Sequence, residues 1–350
     1  MSRRCRKLPR TCAIPVPAPP PELLDLERAI GLGGAHLQVT QTASQGPGSL
    51  PVYAIALGNP SMEVPAVGFF GGVHGLERIG AQVVIAWLHA LVQRLRWDAT
   101  LHRQLEHVRL VFMPMVNPGG MARHTRANPA GVDLMRNAPV DASDPVPPLL
   151  GGQRLGAGLP WYRGAAGAPM EPESLALCAF VERELHGRPF SLALDCHSGF
   201  GVRDRLWFPF AHTRKPFDHL AELHALDAVF AESHPHHPYV VEPQSAQYLA
   251  HGDLWDHVSL HSRGAGGPFL PITLEMGSWL WVKKNPRQLL SRTGLFNPVQ
   301  PHRHERVLRR HLPLFDFLVR ASLAAEHWLP AGSARDEHHR AALRRWYHGA

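Results

Sequence analysis

The chain has 350 residues, 45% hydrophobic and 19% charged, a balance that excludes a disordered protein and allows one large domain or two smaller ones. Its formal charge of +7 belongs to the ends: residues 1–10 carry five positive charges and no negative ones, and residues 331–350 a net of two, so 11–330 is formally neutral. A neutral body argues against a nucleic-acid-binding protein, and no run approaches the roughly 18–20 apolar residues of a membrane span. The four cysteines form no C-x-x-C pair and imply no disulfide framework. A basic start followed by the proline-broken TCAIPVPAPPPELL lacks the apolar stretch of a signal peptide, so a cytoplasmic location is expected.

Taken in chain order, residues 1–20 read as a basic, proline-rich, poorly ordered tail. HLQVTQT (36–42) and LPVYAIALG (50–58), separated by SQGPG, predict an early hairpin. The strand-like VPAVGFF (64–70) runs into a helix over 79–95. HVRLVFMPMVN (107–117) is apolar enough to predict a strand buried on both faces. A long irregular region, 117–170, is rich in Gly, Pro and Asn, the composition of functional loops. A helix over 171–186 then precedes strands FSLALDCHS (190–198) and RLWFPF (205–210). Another helix follows near 216–232, then a His/Pro-rich turn, a polar loop and the strand FLPITLEMG (269–277). An amphipathic helix over 303–328 closes the domain, and 331–350 reads as a basic tail. Strands alternating with helices predict a single α/β domain, 21–330, with a central mixed, largely parallel sheet flanked by helices.

The chemistry-bearing residues sit at strand ends. In GGVHGLERIG (71–80), His74 and Glu77 follow a strand and open a helix, so their spacing aims both side chains at one point. Imidazole nitrogen and carboxylate oxygen are zinc ligands, and a catalytic zinc uses three protein ligands. His197, where LALDCHSG leaves its strand, is a candidate third ligand on the same sheet edge. Glu275, amid the apolar PITLEMGSW, is costly to bury unless it is paired or its pKa is raised, as a general base beside an activated water would be. The loop NPGGMARHTRANPAGVDLMRNAP (117–139) adds Arg123, Arg126 and Arg136 with Asn128 and Asn137. Guanidinium groups there suit polarising a carbonyl or clamping a carboxylate. HPHHP (234–238) lacks an acidic or cysteine partner and reads as surface. Cys196 adjoins His197 but points to the opposite face of its strand, which argues against a nucleophilic pair.

The ordered set H-x-x-E, N-P-G-G…R-x-N-x-x-G-V-D-L-x-R-N, D-C-H-S-G and T-L-E resembles the zinc carboxypeptidase family, the carboxypeptidase A-like metallopeptidases with their amidase and deacylase relatives. The resemblance spans about 50–280. It implies that His74, Glu77 and His197 hold one Zn²⁺ per chain and that Glu275 is the general base. Arg126 is implied to stabilise the oxyanion, Arg136 to bind the substrate's terminal carboxylate, and Asp133 to orient the first zinc histidine. Tyr248 matches a tyrosine that folds over the substrate, with Tyr239 as the fallback. One departure is Met135, where the family commonly has asparagine; methionine donates no hydrogen bond to a carboxylate, so Asn137 or another donor is expected to replace it.

The expected function is therefore zinc-dependent hydrolysis of an amide bond, with a peptide or N-acyl amino acid as substrate and neither nucleic acid nor membrane as partner. A metallocarboxypeptidase is the first reading. An N-acyl amino acid deacylase or cell-wall peptide amidase on the same zinc site is the alternative. A non-catalytic binding module and a nucleic-acid-binding protein are the remaining readings.

Overall fold

A computed structural model of the chain describes residues 18–43 and 49–347. Residues 1–17 of the expected basic tail, and the turn inside the early hairpin, lie outside them. Eight strands form one sheet: β1 (Gln38–Ala43), β2 (Val52–Gly58), β3 (Ala66–Gly71), β4 (Arg109–Met113), β5 (Ser191–Ser198), β6 (Arg205–Phe208), β7 (Val240–Pro243) and β8 (Phe269–Met276). Their order across the sheet is β1-β2-β4-β3-β5-β8-β6-β7. The central four, β4, β3, β5 and β8, are mutually parallel, β6 and β7 are a parallel pair, and the remaining contacts are antiparallel.

The helices are α1 (Pro21–Gly33), α2 (Arg78–Arg94), α3 (Ala99–Leu105), α4 (Pro118–Arg123), α5 (Pro172–Leu185), α6 (Leu220–Ser233), α7 (Leu254–His261), α8 (Trp279–Lys284), α9 (Pro301–Leu323), α10 (Ala325–Trp328) and α11 (Gly332–Trp346). Every residue of β3, β4 and β5 is buried, because helices cover both faces of the sheet. Alternation along β3 divides the core. Phe69 faces one side and stacks between Phe112 and Phe315 of α9, with ring centroids 5.3 and 4.9 Å away. Phe70 faces the other and meets Trp255 of α7 edge-on at 5.1 Å. No helix among the described residues is long and apolar enough to cross a membrane.

Two glycines of the 71–80 segment are required by close approach. A Cβ on Gly80 would stand 2.1 Å from the Cys196 carbonyl oxygen, so α2 lies directly on β5 only because that side chain is missing. A Cβ on Gly75 would strike the backbone of Gly120 at 2.2 Å, where α4 packs under the turn. Seated this way, the turn holds the first two candidate ligands over the C-terminal ends of the parallel strands.

Residues 331–347 depart from the expected tail, and 348–350 lie outside the described residues. Residues 332–346 form α11, which docks on α6: Ala342 is fully buried, and Arg335 pairs with Glu222 at 2.6 Å. Arg345 pairs with Asp227, and Trp346 meets Phe208 of β6 edge-on at 4.9 Å. Two of its arginines have acidic partners on α6, more than a hundred residues earlier in the chain, so a count of local charge reads them as solvated.

Candidate metal centre

The ends of three neighbouring strands supply the site. β3 delivers the turn with His74 and Glu77, β5 carries His197 one residue before its end, and β8 carries Glu275 in register with His197. His74 Nδ1 lies 2.9 Å from Glu77 Oε1, His197 Nδ1 lies 3.0 Å from Glu77 Oε2, and the two Nδ1 atoms are 3.2 Å apart. All three side chains are buried. Donor atoms at these separations surround a single point, as three ligands of one zinc do.

Each ring is held from behind by a carboxylate. His74 Nε2 meets Asp133 Oδ1 at 3.1 Å, and His197 Nε2 meets Asp195 Oδ2 at 2.7 Å. With Nε2–H donating to a carboxylate, the neutral ring turns its Nδ1 lone pair to the shared point, the tautomer that a metal requires. The donor set and its supports therefore fit a zinc ion.

The charges are consistent with this packing. Burial opposes ionisation of Glu77, but His74 and His197 outweigh it and hold the carboxyl well below its ordinary range. Burial likewise disfavours charge on His197, and Asp195 overrides it. Glu275 behaves oppositely: burial, reinforced by the negative charge of Glu77, pushes it up to about 8. Its Oε1 accepts from the backbone N–H of Phe200 at 3.0 Å.

Arg126 reaches the same centre. Its Nε donates to Asp133 Oδ2 at 2.8 Å and its Nη1 to Glu77 Oε1 at 3.1 Å. Arg136 is buried. Its guanidinium bonds the Met135 and Leu150 carbonyls and stands 3.5 Å from the Tyr248 hydroxyl. A cavity of about 360 Å³ opens on the three ligand residues and is also lined by Arg126, Met135, Arg136, Tyr248 and Glu275.

Other expected residues stand elsewhere. Asn137 does not line the cavity: its Oδ1 accepts from the Glu171 N–H and its Nδ2 donates to the Arg163 carbonyl, so the amide is used up in bracing the loop. Arg123 bonds the Pro129 carbonyl, and Asn128 bonds Glu171 and Glu173, away from the centre. Tyr239 is buried against His311, 2.9 Å from its Nδ1. Sequence reasoning missed Asp195 and Trp255, whose indole N–H donates to Asp195 Oδ2 at 2.8 Å. The signal for Asp195 was present, since a residue two before His197 on a strand shares its face.

A profile of the zinc carboxypeptidase family matches residues 40–278. Among curated proteins, carboxypeptidase SOL1 of Arabidopsis thaliana is 29% identical over 92 residues, 25% of this chain and 19% of that protein. Carboxypeptidase D of Anas platyrhynchos is 21% identical over 227 residues, 61% of this chain and 14% of that protein. The chain thus spans less than a fifth of the length of these relatives. Among solved structures, carboxypeptidase A from Helicoverpa armigera superposes with a TM-score of 0.63 at 18% identity, covering 86% of this chain and 72% of that one. Thrombin activatable fibrinolysis inhibitor superposes with a TM-score of 0.61 at 18% identity, covering 87% and 72%. These structures share the fold, and the profile match extends over most of the sheet and the whole candidate centre: the chain belongs to the zinc carboxypeptidase family.

Proposed function

We propose that the chain is a zinc-dependent metallocarboxypeptidase that hydrolyses the last amide bond of a peptide, using one zinc held by His74, Glu77 and His197. The observation that carries this reading is the convergence of those donors within 3.2 Å, beside a cavity that also exposes Glu275 and two arginines. A zinc ion bound there supplies Lewis acidity, lowering the pKa of a water towards ~7 and polarising the amide carbonyl.

The chain's own groups do the rest. Glu275, in register with His197 on the next strand, takes the proton from the water and returns it to the leaving nitrogen. A carboxyl lifted towards neutrality is suited to both transfers. Arg126 keeps Nε and Nη1 on Asp133 and Glu77, which fixes its plane and leaves Nη2 for the developing oxyanion. Arg136, with Tyr248 beside it, takes the substrate's carboxylate by charge-assisted hydrogen bonds.

Met135 favours a second reading. It lines the cavity next to Arg136 without a donor, and Asn137 is engaged elsewhere, so neither adds to carboxylate recognition by Arg136 and Tyr248. A cell-wall peptide amidase on the same centre needs less carboxylate recognition, whereas an N-acyl amino acid deacylase still meets the free carboxylate of its substrate. Matched peptides with free and amidated C-termini separate the two. The first reading expects kcat/KM about 100-fold higher for the free acid, the value of roughly 2.7 kcal/mol from a lost charged contact. Equal cleavage moves the assignment to the second reading, and hydrolysis of neither peptides nor N-acyl amino acids removes both.

A further inference from the structure

A second set of metal-binding donors lies across α5 and α7, separate from the centre at the strand ends. His257 and His261 are one turn apart on α7, so their rings leave the same side of the helix, with centroids 4.2 Å apart. Glu182 meets them from α5, and one donor atom from each of the three lies within 4.8 Å of the others. Glu182 and His261 are exposed and His257 is half-buried, so the group is open to ions from solvent.

The tautomer of His261 is already set for ligation. Its Nδ1–H donates to the His257 carbonyl at 2.8 Å, which leaves the Nε2 lone pair unprotonated in the neutral ring. A ligating histidine generally has its other nitrogen held by a carbonyl or carboxylate in this way. His186, one turn beyond Glu182 at the end of α5, adds another imidazole to the same helix pair. Its Nε2 is buried without a hydrogen-bond partner. The ring is also close enough to His261 for positive charge on one to disfavour charge on the other.

We propose that Glu182, His257 and His261 form a second binding site for a divalent transition ion of zinc's class. Imidazoles with one carboxylate suit zinc and its first-row neighbours, whereas calcium and magnesium call for oxygen ligands throughout. Donors sharing one zinc stand roughly 3.3 Å apart for bonds of about 2.0–2.1 Å, so the site closes by small side-chain rotations about the ion. The ion ties α5 to α7, and the first turn of α7 carries Trp255, whose indole holds Asp195. Its effect is on stability and leaves the hydrolytic groups in place.

The test uses the enzyme already carrying its tightly held ion. The holoenzyme is dialysed against micromolar Zn²⁺ and its metal measured by elemental analysis. Wild type is expected to hold about two zinc ions per chain and His257→Ala/His261→Ala about one, with unchanged hydrolytic activity. Zinc should raise the melting temperature of wild type and not of the double variant. One ion in wild type, or two in the variant, overturns the proposal. Retained activity reports that the double variant folds. Should it not fold, Glu182→Gln, at an exposed position, is expected to weaken the second Kd about tenfold or more, and an unchanged Kd there overturns the site.

Discussion

His74 and His197 point their Nδ1 atoms at each other across 3.2 Å, an arrangement that is unfavourable for two neutral lone pairs and favourable around a cation. What holds them so is a pair of carboxylates, Asp133 behind one ring and Asp195 behind the other. Asp195 is itself fixed by the Trp255 indole, so the support is rigid on both sides. Asp195→Asn is expected to keep the fold and lower zinc affinity about 10- to 100-fold, read by competition with a chromophoric chelator. Unchanged affinity would show that the ring needs no such support. The convergence of His74, Glu77, His197 and Glu275 was legible because strand-end placement and spacing are written locally. Asn137 was not: it looked available for substrate, and only the tertiary contacts to Glu171 and Arg163 show its amide to be occupied.

At the scale of elements, the strands that build the site were readable from long apolar runs, since burial on both faces leaves no alternation to misread. β7 was not, because VVEP is only four residues long and lies between a His/Pro turn and a polar loop. α7 was also missed: eight residues carrying two histidines, an aspartate and a serine read as part of that loop, and its start is set by Asp253 capping the N–H groups of Trp255 and Asp256. α9 was legible and hides a titrating group. Burial pushes the His311 imidazole down to about 4, with its Nδ1 on the Tyr239 hydroxyl. The unfolded chain takes up that proton near 6.5, so it binds more protons than the folded chain between these values, and stability rises with pH there. The contribution of this residue is therefore full above about 6.5 and is lost progressively as pH falls from there to about 4, by roughly 3 kcal/mol in all. Urea unfolding from pH 7 to 4 should show a shallower loss in His311→Gln than in wild type; parallel curves would contradict the assignment.

At the scale of the molecule, the sheet brings the candidate ligands and Glu275 from three separated segments to one edge, and the helices on its two faces keep that edge fixed. The basic C-terminus belongs to this frame. α11 covers α6 through Ala342, Trp346 and two ion pairs. The arginine side chains of those pairs are about half exposed, so the apolar contact carries most of the effect. Removing 332–350 should lower unfolding free energy by about 2 kcal/mol or more, with Trp346→Ala reproducing much of it and Arg345→Ala little. The reverse ranking would mean that charge holds the helix. The central claim is that His74, Glu77 and His197 hold one zinc, and metal content tests it most directly. In the His257→Ala/His261→Ala background, where only this centre is counted, the protein dialysed into metal-free buffer should retain about one zinc per chain. Adding His74→Ala should abolish it, while the circular dichroism of the fold is kept. A parent protein without tightly held zinc, or a His74→Ala variant that keeps it, would contradict the account.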